Sequence, residues 1–292
     1  MEEKSALKRL GKSSISVTDI ASQFWCEKQM ELNYLFGKKY TEAMRRGKQL
    51  HADLQAEVFV PLNVEPVTYA DFIYKTGYEN YMALKTLKQK GVCRELHIYG
   101  SLNGYKIAGQ IDELKIEKGE VRIIELKTVQ QNGIALKIDS VSARPHIVQI
   151  MLYKRLLDDL RKGIYTLYNF TYAYKANTMH LSNAFLRGLH AIGVKEEFAD
   201  IGKIYELLFY ELHSLPEISR VLEIVYLDRF TGNKAGSIII NYDEKKINND
   251  IAFALQYWNG ARPALPVNKD EAWKCNLCKF FGKECTVWWK NK

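Results

Sequence analysis

The sequence predicts an α/β domain in which strands in the middle of the chain are preceded and followed by helices. Three strand-like runs follow one another at residues 92–102, 105–116 and 121–129, and tight turns join them at Asn103-Gly104 and Lys118-Gly119. Asn-Gly is a strong signal for a two-residue hairpin turn. We therefore expect the three runs to form an antiparallel meander.

Three helices are expected before the meander, the last of them from Tyr78 to Lys90. The first follows a capping signal at Ser16-Val-Thr-Asp19 and carries Cys26. The second begins near Thr41, carries His51 and ends at Pro61, since proline interrupts helical hydrogen bonding. A histidine on a helix acquires a function only if the helix packs over a charged patch of the sheet.

The segment after the meander alternates between helix and strand. A helix is expected from His146 to about Arg161, and the Tyr/Phe/Thr-rich run at Tyr165–Tyr174 predicts a buried strand. Residues 175–214 then read as a helical insertion that interrupts the sheet. A hairpin at 221–241 and a further helix complete the pattern, and the whole chain, residues 1–292, is expected to be one domain.

A charged patch lies on the second and third runs of the meander. Side chains alternate along a strand, so Glu125 and Lys127 face the same way and Leu126 faces the core. Asp112 lies on the preceding run. Two carboxylates beside an ammonium provide the hard oxygen ligands that suit Mg²⁺ or Mn²⁺. Glu95, on the first run, is a further candidate ligand for a second metal ion.

Composition narrows the class of protein. The chain has 292 residues, a formal charge of +8 and 47% apolar residues, which indicates a globular protein suited to an anionic partner such as nucleic acid. Its 18 tyrosines and five tryptophans offer rings on which bases could stack. Neither a secretory signal nor an apolar run of about 20 residues is found in the sequence. The expected location is intracellular.

The cysteines form a second pattern. Three of the five lie close to the C-terminus as Cys275-x₂-Cys278-x₆-Cys285, a spacing typical of a metal site. A fourth ligand has to come from Cys26 or Cys93, unless a histidine supplies it. Spacing alone leaves two alternatives open, a structural zinc ion and an iron–sulfur cluster, each held by thiolates.

The order of these motifs resembles a known family. From about Ser14 to Cys285 the chain resembles the RecB-like nucleases of the PD-(D/E)xK superfamily, in their iron–sulfur branch. It is most like exonuclease V and next like the CRISPR-associated RecB-like exonuclease. The motifs that carry the resemblance are, in order, Cys26, Gly47-x₃-His51, Gly109-x₂-Asp112, Glu125-x-Lys127, Gln149-x₃-Tyr153 and the C-terminal cysteines. Two departures are a last cysteine gap of six residues, commonly one shorter, and the lack of proline before Asp112.

The resemblance implies a role for each motif. The implied metal ligands are His51, Asp112, Glu125 and the carbonyl oxygen of Leu126. The implied catalytic residues are Asp112, Glu125, Lys127, Gln149 and Tyr153, with Lys127 near the attacking water. The implied ligands of a [4Fe-4S] cluster are Cys26, Cys275, Cys278 and Cys285. Cys93 has no counterpart and is expected to be buried.

The resemblance also implies an architecture and an activity. The fold would be a PD-(D/E)xK core, a mixed central sheet flanked by helices, with a helical insertion at about 175–214 and a cluster-binding segment at 273–292 that joins the two ends of the chain. The activity would be Mg²⁺- or Mn²⁺-dependent hydrolysis of single-stranded DNA from 5′ ends, in DNA repair or replication.

Partners and location follow from that activity. The partners would be single-stranded DNA and a single-strand-binding protein, with no membrane. The location would be the cytoplasm, or the nucleus or mitochondrion of a eukaryote. Alternatives are a CRISPR-associated exonuclease acting in spacer acquisition and an inactive DNA-binding scaffold.

Overall fold

The computed structural model describes residues 5–38, 40–130 and 141–286. Among these residues, the predicted meander lies in a six-stranded mixed sheet. The strands are β1 (Ile15–Ser16), β2 (Val92–Leu102), β3 (Tyr105–Glu117), β4 (Glu120–Val129), β5 (Val221–Asp228) and β6 (Lys234–Asn241). Strands β2, β3 and β4 are antiparallel, as predicted, whereas β1 pairs with β3, and β4 with β5, in parallel. The expectation of an α/β fold with a mixed sheet flanked by helices is confirmed.

Helices cover the sheet and carry several of the predicted motifs. They are α1 (Ala6–Arg9), α2 (Val17–Phe36), α3 (Glu42–Val58), α4 (Tyr69–Lys90), α5 (Arg144–Arg161), α6 (Leu167–Tyr174), α7 (Asn183–Ala191), α8 (Ile201–His213) and α9 (Glu244–Trp258). Helix α2 begins at the predicted cap, where Ser16 and Asp19 bond reciprocally to each other's main-chain N–H. Helix α5 carries fourteen buried residues and packs between α2 and the sheet.

The turns of the meander form as their sequence requires. Asn103 and Gly104 both have positive φ angles, 48° and 83°, which is the condition for a type I′ hairpin turn. Lys118 and Gly119 repeat the pattern with φ angles of 52° and 81°. These turns set the register that places Asp112 and Glu125 near each other.

The predicted strand at Tyr165–Tyr174 is wrong, because the chain forms helix α6 over most of it. Thr166 caps this helix and Asn169 bonds back to the main chain of Thr166, so local hydrogen bonds outweigh the strand preference of the aromatic residues. Only Phe170 of the helix is buried, and Tyr168 and Tyr172 lie exposed on its outer face.

The helical character expected for residues 175–214 is present as α7 and α8. Helix α8 packs on α4, where Gly77 leaves room for the ring of Tyr205. Residues 287–292 of the predicted C-terminal segment lie outside the described residues.

Candidate active site

The candidate site lies at a gap in the pairing of β3. One edge of β3 pairs with β2 along its length. On the other edge β1 pairs with Ile107 and Ala108, and β4 pairs from Glu113 onward. Residues 109–112 therefore have no strand neighbour on that side in the described part of the chain. Side chains can enter the sheet at this point.

Asp112 and Glu125 face each other across this gap. Asp112 Oδ2 accepts a hydrogen bond from the Leu126 main-chain N–H at 2.7 Å, so a carboxylate replaces the missing ladder bond. Both side chains are buried, and Glu125 Oε2 has no hydrogen-bond partner among the described residues. Burial raises the pKa of both carboxyls, and the closeness of Glu125 raises that of Asp112 further. Two buried acids with an unsatisfied oxygen form a site that a cation would stabilise.

Lys127, Gln149 and Tyr153 form a hydrogen-bonded chain beside the two acids. Lys127 Nζ lies 2.5 Å from Glu125 Oε1 and donates to Gln149 Oε1 at 3.2 Å. Gln149 Nε2 in turn donates to Tyr153 Oη at 3.1 Å. Burial opposes the charge of Lys127, but the attraction of Glu125 and Asp112 outweighs it and raises the pKa of the ammonium. Hydrogen bonds therefore link four of the five catalytic residues that the resemblance implies, namely Glu125, Lys127, Gln149 and Tyr153.

Two glycines let these elements come close. A Cβ on Gly109 would lie 2.7 Å from the ring of Tyr153, so the tyrosine reaches β3 only because that residue has no side chain. A Cβ on Gly47 of α3 would lie 2.9 Å from Thr128 Oγ1 on β4. The close approach of α3 to β4 brings His51, one turn further along α3, over the carboxylates.

His51 contacts two acids at the edge of the site. Its Nδ1 lies 3.0 Å from Glu95 Oε1 and 3.7 Å from Asp112 Oδ1. The hydrogen bond to Glu95 raises the pKa of His51, although burial acts in the opposite direction. The ligand atoms of His51, Glu95 and Asp112 all lie within 4.8 Å of one another. Oxygen ligands with one imidazole are a donor set that fits Mn²⁺ or Mg²⁺.

Glu95 is the residue that sequence reasoning weighted too lightly. It has a φ of 56°, in the left-handed region, and the β2–β3 register passes from Arg94 to Leu96 without pairing it. The register is the same on both sides of Glu95, so this residue lies opposite Asp112 at a local irregularity of the ladder. The strand pattern offered Glu95 as a candidate metal ligand, but it did not predict the contact with His51.

Leu126 contributes its main chain at this point. Its side chain packs in a small apolar cluster with Ile124, Val225 and Leu227, against Leu50 and Leu54 of α3. The predicted alternation of Glu125, Leu126 and Lys127 about the strand therefore matches their contacts. The contacts of the described residues do not test the Leu126 carbonyl oxygen as a ligand.

A cleft of about 700 Å³ opens beside the carboxylates. Lys127, His146 and Gln149 line one wall, and Trp25 and Cys26 of α2 line the other. The lining comes from α2, β4, the start of α5 and the residues next to them, and none of its described residues belongs to the 175–214 insertion. The cleft therefore extends from Lys127, the neighbour of the two acids, to Cys26.

Four of the five cysteines line one small cavity, which shares Trp25, Cys26 and Gln29 with the cleft. These cysteines are Cys26, Cys275, Cys278 and Cys285. Cys26 interrupts α2 with an extended backbone (φ −168°, ψ 112°). The fifth, Cys93, is buried in the core, and burial raises the pKa of its thiol to about 12. The structure therefore places the four cysteines that the resemblance implies as ligands apart from the one buried thiol.

The four thiols are not arranged as a finished metal site. No three described ligand atoms that include these sulfurs lie within 4.8 Å of one another, whereas a tetrahedral zinc site would place sulfurs about 3.8 Å apart. The open volume of the cavity is about 20 Å³, close to that of one or two water molecules. The donor set fits a thiolate-bound metal, but an eight-atom cluster needs the cavity to widen.

Comparison with known proteins identifies a family whose model matches this chain. A family model described as "Exonuclease V - a 5' deoxyribonuclease" matches residues 5–122 and 200–290. The matched segments contain His51, Glu95, Asp112 and the four cavity cysteines, and leave out residues 123–199 with Glu125 and Lys127. No helix among the described residues is long and apolar enough to cross a bilayer.

Two individual proteins show the extent of the similarity. Exonuclease V of Danio rerio is 27% identical over 298 residues, an alignment that covers 99% of this chain and 73% of the relative. Among solved structures, the crystal structure of SSO0001 is 15% identical, with a TM-score of 0.37 over 94% of this chain and 90% of that one.

Proposed function

The chain belongs to the exonuclease V family, and on that premise we propose that it is a metal-dependent exonuclease that hydrolyses single-stranded DNA from 5′ ends. The resemblance to exonuclease V, predicted from the order of six motifs, is confirmed. We further propose that Asp112, Glu125 and Lys127 belong to a PD-(D/E)xK nuclease core. In this proposal residues 1–292 act as one nuclease domain.

One observation carries the proposal, the buried acidic pair at the gap in β3. Asp112 and Glu125 are 8% and 0% exposed, and Glu125 Oε2 lacks a partner within the described residues. Ionising two adjacent buried carboxylates is costly unless a cation compensates their charge. A site whose main role was structural would satisfy this oxygen with a protein donor. The arrangement therefore supports a divalent cation.

The ligands for that cation would be His51, Asp112, Glu125 and the Leu126 carbonyl, and Glu95 adds a ligand that the resemblance did not supply. A divalent cation held by these residues would polarise the scissile phosphate and lower the pKa of a bound water. Lys127 holds an ammonium next to the acids, where it stabilises negative charge that develops on the phosphate oxygens. Gln149 and Tyr153 hold Lys127 in that position through their hydrogen bonds.

The cleft supports single strands as the substrate. Its volume of about 700 Å³ lies in the range of pockets that enclose small ligands. A flexible single strand can place a few nucleotides in a cleft of this volume. Trp25 and Tyr34 line the cleft and offer rings for base stacking. The insertion at 175–214 packs on α4, and none of its described residues lines the cleft.

We place a thiolate-bound metal centre at the cysteine cavity, as a [4Fe-4S] cluster. Support comes from the four thiols lining one cavity and from the family resemblance. Zinc is the alternative. Iron, zinc and acid-labile sulfide measured on protein purified without air decide between them. One zinc and no sulfide per chain would remove the cluster from the proposal.

The activity is tested with DNA labelled at one end. We expect purified protein with Mg²⁺ or Mn²⁺ to release a 5′ label early as short products, while 3′-labelled strands shorten gradually. Asp112→Asn should abolish both signals. Rapid cutting of covalently closed single-stranded circles would contradict an exonuclease, and intact single strands under either metal would remove the nuclease assignment. A single-strand-binding protein and a role in repair stay predictions.

A further inference from the structure

A histidine–tyrosine pair lies beside Lys127 and has no role in the mechanism described above. His146 precedes Gln149 by three residues on α5, so both side chains share a helix face, and both line the cleft. Tyr226 of β5 is directly beside Lys127 of β4 in the parallel register. His146 Nδ1 lies 3.3 Å from Tyr226 Oη. The pair therefore borders the cleft on the side of the catalytic lysine.

The surroundings keep His146 uncharged. Burial, reinforced by the charge of Lys127, lowers the pKa of His146 to about 3, so the imidazole is neutral near pH 7. A neutral imidazole carries one N–H. When the Tyr226 hydroxyl donates to Nδ1, the proton is on Nε2. Nε2 forms no hydrogen bond with the part of the protein that the structure describes, which leaves it available as a donor to a ligand in the cleft.

Resting on the proposed function, we propose that His146, held by Tyr226, binds a non-bridging phosphate oxygen of the DNA strand next to the scissile phosphate. The donor is neutral, so it adds a hydrogen bond without adding a second positive charge next to Lys127. A packing histidine would have both nitrogens enclosed by protein, whereas His146 lines a 700 Å³ cleft. A phosphate is the anionic group that a strand entering this cleft carries at each nucleotide.

Phosphate-by-phosphate substitution tests the contact. Oligonucleotides with one uncharged methylphosphonate, moved stepwise from the 5′ end, are titrated in Ca²⁺, which takes similar oxygen ligands. We expect wild-type protein to bind about tenfold more weakly at the phosphate that His146 contacts, since hydrogen bonds to charged groups are the stronger ones. His146→Ala should bind unmodified DNA about tenfold more weakly and lose the penalty at that one position.

Two further variants separate binding from packing. Tyr226→Phe removes only the hydroxyl, frees the imidazole tautomer, and should raise the KM for single strands about threefold with little change in kcat. His190→Ala, an exposed histidine on α7, is the matched control and should behave as wild type. Thermal melting checks that each variant is folded.

These experiments distinguish a failure of this inference from a failure of the proposed function. If wild-type protein neither binds nor degrades single strands, the proposed function fails and this inference fails with it. If wild-type protein does both, and His146→Ala keeps the same methylphosphonate profile, only the inference is overturned. If His146→Ala lost affinity equally for every methylphosphonate oligonucleotide in the series, the inference would also be overturned. A structural role of His146 would weaken all contacts with the strand to the same extent.

Discussion

The acidic site and the cysteine cavity differ in how far the protein assembles them by itself. At the acidic site, hydrogen bonds already hold the ligand atoms of His51, Glu95 and Asp112 within 4.8 Å of one another. At the cavity, four thiols line one space, yet their sulfurs are not grouped that closely. The first site is built on strands and helices of the sheet. The second joins a break in α2 to a C-terminal segment of 3-10 helix and turns.

This difference indicates which site depends on its metal for structure. A preorganised site binds a cation at little conformational cost and keeps its shape without one. A site whose ligands come from opposite ends of the chain gains folding free energy when metal binds, because the metal itself makes the connection. We therefore expect metal removal to stop catalysis at the acidic site and to loosen the structure at the cysteine cavity.

The largest effect is expected for Glu125→Gln. The substitution removes a buried charge that would hold the cation and that anchors Lys127, so cleavage of single-stranded DNA should fall about a thousandfold or more. DNA affinity in Ca²⁺ and the melting temperature should change little. Glu120→Gln, at the exposed start of the same strand, is the control. Residual activity within tenfold of wild type would mean that Glu125 does not hold the metal.

The second largest effect is expected on thermal stability, when a cysteine of the cavity is compared with the buried Cys93. Cys278→Ser should lose the bound metal and lower the melting temperature by about 5–10 °C, since the metal ties α2 to the C-terminal segment. Cys93→Ala removes a buried thiol from the core and should cost about 1 kcal/mol, or roughly 2–4 °C, with the metal retained. Metal analysis beside calorimetry separates the two. Equal metal contents in both variants would contradict a centre at the cavity.

Local rules were enough to predict most of the acidic site. Strand alternation placed Glu125 and Lys127 on one face and Leu126 on the other, and the Asn103-Gly104 turn fixed the meander that brings Asp112 near them. The identity of the metal ligands came instead from the family resemblance. That assignment stays a prediction, although the structure brings the residues together.

The failures share a physical cause, which is that tertiary contacts or local caps override the periodic pattern. Glu95 left the regular pairing at a left-handed residue, and Cys26 left the helix at an extended residue that no helix-breaking residue marks. Helix α6 formed where aromatic composition favoured a strand, because Thr166 and Asn169 cap it. At Glu95, a candidate ligand, the backbone lies in the left-handed region, where strain is commonly retained for function.

The third effect is expected at Glu95, whose backbone lies in the left-handed region. Glu95→Gln keeps the left-handed backbone but loses the charge, and should raise the Mg²⁺ concentration for half-maximal activity about tenfold. Glu95→Gly loses the carboxylate and also relieves the backbone, which for a non-glycine residue costs about 1 kcal/mol or more. We expect the glycine variant to need as much Mg²⁺ as the glutamine variant and yet to melt at a higher temperature. An unchanged Mg²⁺ requirement in both would exclude Glu95 from the metal site.

The smallest effect concerns the approach of α3 to β4. Gly47→Ala should stabilise the isolated helix by about 1 kcal/mol, but its Cβ would lie 2.9 Å from Thr128 Oγ1 and push α3 outward. Because His51 is on the same helix, kcat/KM should fall about three- to tenfold even if the melting temperature does not. Thr128→Ala in the same chain removes the clash and should restore activity. A double variant no more active than Gly47→Ala would show that the spacing of α3 from β4 does not position His51.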